Sequence, residues 1–196
     1  MLPKAVCCAA LLIPGIAAAQ EATRPDTTPF HRGQWAAQFG VGLSFSSLGL
    51  LKFRSPTSAW LFDVVLSGHH AENGSGSSVV VDSRATASLR VGRRRYHGAR
   101  EQVRVVAFHT VGVSAGFLHN ASRQPFGLSG ASNAWNAGLF GDIGGSYLVS
   151  SNLSLGATAG LSLSYSRSTS SGGFPAGRVW GIDGAAAVNF AATIYF

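Results

Sequence analysis

The 196-residue chain is poor in cysteine, in charge and in long apolar runs beyond its first residues. Its two cysteines, Cys7 and Cys8, are adjacent and lie in the first stretch, so the rest can form neither a disulfide nor a thiol site. Charged residues make up only 12%, against 46% hydrophobic residues, which disagrees with a soluble secreted domain. No later stretch reaches the length of a transmembrane helix, which excludes a helical membrane protein.

The first residues have the pattern of an export signal. Met1–Lys4 carries one positive charge, and residues 5–16 form an apolar run shorter than the about 20 residues that a spanning helix needs. Small residues follow at 17–19, as at a signal cleavage site. The pattern predicts a secretory signal over residues 1–19, followed by a polar leader over 20–32 that is disordered in the periplasm.

What the chain has in abundance is alternation. From residue 33 to residue 196, apolar and small or polar residues alternate with a period of two, which is typical of β-strands. In lipid every backbone donor and acceptor must be paired internally, so an apolar chain without a spanning helix predicts a closed barrel. We expect an all-β fold, an eight-stranded antiparallel up-and-down transmembrane β-barrel over 33–196. The predicted strands are 33–46, 48–54, 59–69, 78–92, 102–118, 134–149, 153–166 and 178–196.

The connections and the tryptophans suggest an orientation. Connections 2–3 and 6–7 are short, whereas 3–4, 5–6 and 7–8 are longer, as expected if both termini are periplasmic and the long loops face outward. On that topology Trp35 and Trp60 lie at the periplasmic interface of the membrane. Trp135 and Trp180 lie at its outer interface. Indole rings prefer this level, so we expect two aromatic girdles.

The polar face of the predicted strands carries charges of both signs. An eight-stranded barrel has an interior just wide enough for side chains to fill, so we expect a salt-bridge network that plugs the lumen. A narrow channel is the alternative. The predicted lumen residues are Lys52, Arg54, Asp63, Asp82, Arg84, Arg90, Arg104, Asp142 and Asp183.

Strand 5 has an imperfect pattern. Its phase places Phe108 inside and His109 on lipid at mid-membrane. A β-bulge near Ala107 would reverse this placement.

The last strand ends in an aromatic residue preceded by alternating apolar residues, namely Val188, Phe190, Ala192, Ile194 and Phe196. This ending resembles the carboxy-terminal signature of outer-membrane barrels, with Phe190, Ile194 and Phe196 as the assembly signal. With the export signal and the alternating region, the chain resembles the small eight-stranded group that includes OmpX, Ail and the OmpA barrel. The resemblance implies an outer-membrane location and insertion by the barrel-assembly machinery. It also implies contact with lipid and lipopolysaccharide, and a role in adhesion, envelope integrity or surface defence.

The resemblance carries over no functional residue. We expect a monomer without a cofactor, whose outer loops contact an extracellular ligand or neighbouring envelope components.

An enzymatic role has one testable motif. Some barrels of this size are lipid A deacylases with a His-x-Ser-Asn run, in which His is the base and Ser the nucleophile. The nearest run here has Gly130 at the base position of Ser132, so that serine lacks an activator in the run. We expect no catalytic residue, although a lipid-modifying enzyme stays a weaker alternative.

Two further clusters of polar residues could bind a ligand, one a metal ion and the other an anionic headgroup. His69, His70 and Glu72 could bind a metal, but adjacent histidines on a strand point to opposite faces, so we expect no metal site. The arginines of residues 93–95, with Arg100, lie in the predicted 4–5 connection. Export makes nucleic acid an improbable partner, which leaves a solvated turn or contact with anionic headgroups.

Overall fold

The alternating region forms eight antiparallel strands in the computed structural model, and β8 pairs with β1 to close a barrel. This confirms the predicted fold. The structure describes residues 29–73, 80–97, 104–123, 129–172 and 178–196, so the predicted signal and most of the predicted leader lie outside it. The strands are β1 (Trp35–Gly42), β2 (Ser46–Ser55), β3 (Ser58–Asn73), β4 (Val80–His97), β5 (Val105–Arg123), β6 (Ser129–Leu148), β7 (Leu153–Gly172) and β8 (Arg178–Tyr195).

Both ends of the barrel domain lie at one end of the barrel, as an even number of strands requires. Trp35 and Phe196 exchange backbone hydrogen bonds of 3.2 and 3.0 Å there. We call this the terminal end. The opposite end, reached by the β1–β2 turn at residues 43–45, is the far end.

The wall of the barrel is lower on the side of β1 and β2. The last pair between β1 and β8 is Gly42 with Asn189, and the last pair between β2 and β3 is Ser46 with Leu66. Beyond this level β3–β8 continue as a curved six-stranded sheet. Within the described residues, its two edges, residues 67–73 of β3 and 178–188 of β8, have no strand partner on that side.

The strands are longer at the far end than the alternation predicted. The predicted long loop between strands 5 and 6 is wrong for most of its length, because Asn120 pairs with Ser132 and the ladder reaches Arg123 and Ser129. The small polar residues that suggested a loop keep their backbone groups paired in a sheet.

Strand β2 faces the opposite way from the prediction. Leu51 and Phe53 are buried inside the barrel, whereas Lys52 and Arg54 are exposed on its outer face. The predicted lumen positions of Lys52 and Arg54 are therefore wrong. Leu48 and Leu50 are also apolar, so β2 carries apolar residues on both faces and its pattern could not fix its orientation.

Strand β4 continues through the arginine cluster, which the sequence placed in a turn. Arg93 and Arg95 are exposed on the outer face, and Arg94 is buried with 3% of its surface exposed. Arg100 lies outside the described residues. The turn interpretation is wrong for Arg93–Arg95, since alternate arginines occupy two different environments of one strand.

Strand β5 has the phase that the sequence predicted. Phe108 is buried inside, His109 lies on the outer face, and the register with β4 and β6 runs without a shift past Ala107. The bulge considered near Ala107 is therefore wrong. His109 lies on the terminal half of its strand, where it contacts His97 of β4 at 2.7 Å between ring nitrogens.

The outer face of the barrel carries a broad band of exposed apolar side chains. All four tryptophans lie on it, with between 37% and 71% of their surface exposed. Trp35 and Trp60 lie toward the terminal end, and Trp135 and Trp180 lie toward the far end. Among the described residues no helix has the length and apolarity needed to cross a membrane.

Candidate functional site: the barrel lumen

An aromatic cluster closes the lumen at the terminal end. The ring of Phe30 lies 4.8 Å from that of Phe53, 4.7 Å from that of Tyr96 and 5.3 Å from that of Tyr195. Phe108 extends the cluster, with its ring centroid 5.7 Å from that of Tyr96. All five side chains are buried, so this end of the lumen is an apolar core.

Phe30 enters the lumen from the chain that precedes β1. Gly33 has a φ of 89°, a conformation that favours glycine, and its N–H donates to the Phe53 carbonyl at 2.9 Å. This bend brings the Phe30 side chain into the terminal end of the lumen, where none of its surface is exposed. The predicted disordered leader is therefore wrong at its end, while residues 20–28 lie outside the described residues.

A buried arginine lies directly above the aromatic cluster. Arg94 donates to Gln38 Oε1 at 2.7 Å and to Thr110 Oγ1 at 3.1 Å, and its guanidinium lies 4.1 Å from the Phe108 ring centroid. These contacts satisfy a charge that would be costly to bury alone. Arg94 was not among the predicted lumen residues, although its place between Arg93 and Arg95 on an alternating strand would have indicated that its side chain points the opposite way from theirs.

A charged triad follows further along the lumen. Arg90 donates to Asp142 Oδ2 at 2.6 Å and lies 3.7 Å from Asp63 Oδ2, and its guanidinium lies 3.9 Å from the Phe140 ring centroid. The structure thus brings together three of the nine predicted lumen charges. They join β3, β4 and β6 across the barrel.

Glycines make room for this layer. A Cβ atom at Gly160 would overlap the Asp142 carboxylate, and one at Gly112 would overlap the backbone of β4 and the Phe140 ring. The large side chains of the triad therefore depend on inward positions that carry no side chain.

The far half of the lumen is lined by small polar side chains, which are partly exposed. They include Ser88, Ser114, Asn136 and Ser162. Because these residues are too short to meet across the barrel, the far half is an open cup rather than a packed core.

The other predicted lumen charges do not join the network. Asp82, Arg84 and Asp183 are exposed near the far end, and within the described residues none of them has an ion-pair partner. Asp183 accepts a hydrogen bond of 2.8 Å from Ser166 instead. Arg104 precedes β5, is exposed, and donates to the Tyr147 hydroxyl at 3.2 Å. Its predicted lumen position is wrong, because Tyr147 lies on the outer face.

The residues considered for catalysis and metal binding are dispersed. His119 contacts Asn133 at 2.7 Å, and Ser132, the residue before Asn133, points to the opposite face of β6. His70 contacts Ser83 at 2.9 Å and Glu72 at 3.5 Å, while His69 faces the other way. The described part of the chain holds no group of three or more His, Cys, Asp and Glu side chains suited to a metal ion.

Comparison with known proteins gives the fold. A major outer-membrane protein of Thermus thermophilus superposes with a TM-score of 0.62 at 11% identity, over 83% of this chain and 98% of that one. CarO2 of Acinetobacter baumannii (TM-score 0.48, 10% identity, 83% and 98% coverage) and Ail of Yersinia pestis (0.36, 12%, 84% and 99%) superpose less well. No family model and no curated protein matches the chain.

The chain has the small outer-membrane barrel fold.

Proposed function

We propose that the chain is a non-enzymatic integral outer-membrane protein, anchored by its barrel and presenting the far end to the exterior. The observation that carries this proposal is the apolar outer face. Large apolar side chains such as Phe39, Leu139 and Leu161 have 50%, 61% and 70% of their surface exposed there. A soluble monomer rarely exposes a continuous apolar surface of this kind, whereas a lipid-facing wall requires it.

Both termini face the periplasm in this proposal. The described strand connections at the terminal end are short, such as the two residues between β2 and β3. The strands at the far end rise beyond the β1–β2 turn. Long strands and loops on the exterior and short turns in the periplasm are the usual arrangement in such barrels.

The lumen is plugged in this proposal. The aromatic cluster around Phe30, the Arg94 contacts and the Arg90 triad occupy successive levels of the terminal half. An interior of this width is filled by side chains of that size. A plugged barrel conducts no ions, in contrast to the narrow channel that the predicted charges also allowed.

Single-channel recording in planar bilayers tests the plug. We expect no conductance steps from the wild-type protein. A characterised porin recorded in the same bilayers is the positive control, because truncation of the aromatic cluster alone would leave the Arg94 and Arg90 levels in place. Reproducible steps from the wild type would favour the channel, provided that the sample shows the heat-dependent gel shift of a folded barrel.

The exterior role in this proposal is surface interaction through the six-stranded sheet of β3–β8. The polar far end supplies backbone donors and acceptors to a partner, since residues 67–73 of β3 and 178–188 of β8 have no strand partner on one side within the described part of the chain. Cells that produce the wild type should differ from cells that produce a variant with residues 119–133 replaced by a two-residue turn. The readouts are adhesion to host cells and resistance to bile salts. No difference in either readout, with equal barrel levels, would count against this role, and altered lipid A in the producing cells would favour the enzymatic alternative.

A further inference from the structure

A group of basic side chains lies on the outer face of the barrel near its terminal end. Lys52 of β2 pairs in register with Trp60 of β3, and Trp60 pairs with Arg93 of β4. Arg95 follows two residues after Arg93 and pairs with His109 of β5. We call Lys52, Arg93 and Arg95 the basic patch.

Two of the three patch residues contact neutral groups. Lys52 Nζ lies 4.8 Å from the centroid of the Trp35 ring, and Arg93 Nε donates to Ser58 Oγ at 3.2 Å. Ring and hydroxyl contacts orient a cation without neutralising it.

The acidic side chains of the described residues lie elsewhere. Asp63 and Asp142 are inside the lumen, and Glu72, Asp82 and Asp183 are near the far end. None of the ion pairs among the described residues includes a member of the patch.

The other side of the same end is apolar. Leu155 of β7, with Phe190 and Ile194 of β8, have 53%, 66% and 46% of their surface exposed there. The patch also borders apolar residues on its own side, since Phe62 and Val91 are the next outward residues toward the far end on β3 and β4. The three basic side chains of the patch therefore stand at the edge of the lipid-facing band on β2–β4.

A ligand at this position must be anionic and must lie at a boundary between lipid and water. Cations within a lipid-facing band are costly unless they reach polar partners. Each Lys or Arg close to an anionic membrane surface is stabilised by about a factor of five in binding. The phosphate groups of lipid headgroups satisfy both conditions, and the guanidinium fork matches their oxygens.

We propose that the basic patch binds the headgroup phosphates of anionic phospholipids in the leaflet at the terminal end. Trp60, between Lys52 and Arg93, then lies at the same headgroup level, as indole rings prefer. The proposal rests on membrane insertion of the barrel, as proposed above, and is independent of the plugged lumen.

The test uses protein refolded into vesicles of phosphatidylcholine alone or with added phosphatidylglycerol. The variant Lys52→Gln/Arg93→Gln/Arg95→Gln removes the patch. The matched control Arg84→Gln/Arg123→Gln/Arg167→Gln removes the same charge from the far half of the barrel. Urea titrations followed by tryptophan fluorescence give the folding equilibrium constant, and the heat-dependent gel shift reports insertion.

Phosphatidylglycerol should raise the folding equilibrium constant of the wild type and of the control by roughly 100-fold, from about five-fold for each of the three cations. The patch variant should lose most of that gain. Inorganic phosphate added to phosphatidylcholine vesicles should not reproduce it, which distinguishes a headgroup from a free anion.

An equal response to phosphatidylglycerol in the patch variant and the wild type would overturn the proposal, as would no response in the wild type or full reproduction by inorganic phosphate. Failure of the wild type to insert into either vesicle would instead contradict the proposed membrane function.

Discussion

The terminal and far halves of the barrel share one set of strands but differ in how the interior is filled. In the terminal half, aromatic rings meet across the lumen and side chains such as Leu51, Leu61 and Val106 are 0–1% exposed. In the far half, Ser, Asn and Gly line an open cup, and two of the eight strands have already ended. Exposed apolar side chains lie on the outer face of both halves, so lipid contact alone does not require a packed interior.

The two halves therefore differ in what they contribute to the protein. The terminal half resembles the core of a soluble domain in its buried apolar side chains, and we expect it to supply most of the stability. The far half gains little from its interior and depends on its backbone ladder. Its inward residues are therefore less constrained by packing, which is compatible with the proposed role in surface interaction.

Truncation of the same residue type in each half should give the largest difference. Leu61→Ala removes a buried side chain of the terminal half and should lower the free energy of unfolding by about 2–5 kcal/mol. Leu118→Ala, on the inward face of the far half where the side chain is partly exposed, should cost about 1 kcal/mol or less. Urea titration in vesicles measures both. Equal losses would contradict the contrast between the two halves.

Breaking the charged triad should have the next largest effect. Asp142→Asn removes the closest partner of Arg90 and should destabilise the barrel by about 3 kcal/mol, since it leaves a partly buried guanidinium without that carboxylate. Arg90→Met combined with Asp142→Leu and Asp63→Leu should recover much of that loss, because it removes all three charges of the triad together.

A double-mutant cycle on unfolding free energies gives the coupling between the two positions. Additive effects would show that Arg90 and Asp142 do not act as a pair.

Replacing a glycine with alanine should give a smaller difference in unfolding free energy between the two halves. Gly112→Ala places a methyl group against the β4 backbone and the Phe140 ring, and should cost about 1–3 kcal/mol. At Gly181, near the far end, the first atom that a new Cβ would meet is 3.7 Å away, so Gly181→Ala should be close to neutral. Thermal gel-shift midpoints rank the two variants. A similar midpoint for both would indicate that the triad layer is not tightly packed.

The sequence predicted the number and order of the strands and most of their faces. Alternation was sufficient where one face was apolar and the other small or polar, as in β7. It failed for β2, where the outward-facing Lys52 was assigned to the lumen because a charged lumen was assumed throughout. Because of the same assumption the aromatic cluster was not predicted, since an apolar residue such as Phe53 is expected to face lipid in a barrel.

Other features depended on contacts distant in sequence. The sequence predicted Phe30 as part of a polar leader, because only the bend at Gly33 brings its side chain into the lumen. Arg94 looked like one member of a basic run, and only the register with β1 and β5 gives it Gln38 and Thr110 as partners. Asp63, Arg90 and Asp142 were among the predicted lumen residues, but their pairing depends on the closed barrel.

Cysteine labelling of whole cells tests the central claim, a barrel open to the exterior and closed toward the periplasm. With Cys7 and Cys8 replaced by Ala, Ser162→Cys reports on the cup and Ser154→Cys on the plugged half, where Ser154 is 1% exposed. A membrane-impermeant maleimide added outside should label Ser162→Cys and leave Ser154→Cys unlabelled until the barrel is unfolded. Equal labelling of both positions in folded protein would contradict the closed lumen, and labelling of Ser154→Cys alone would contradict the orientation.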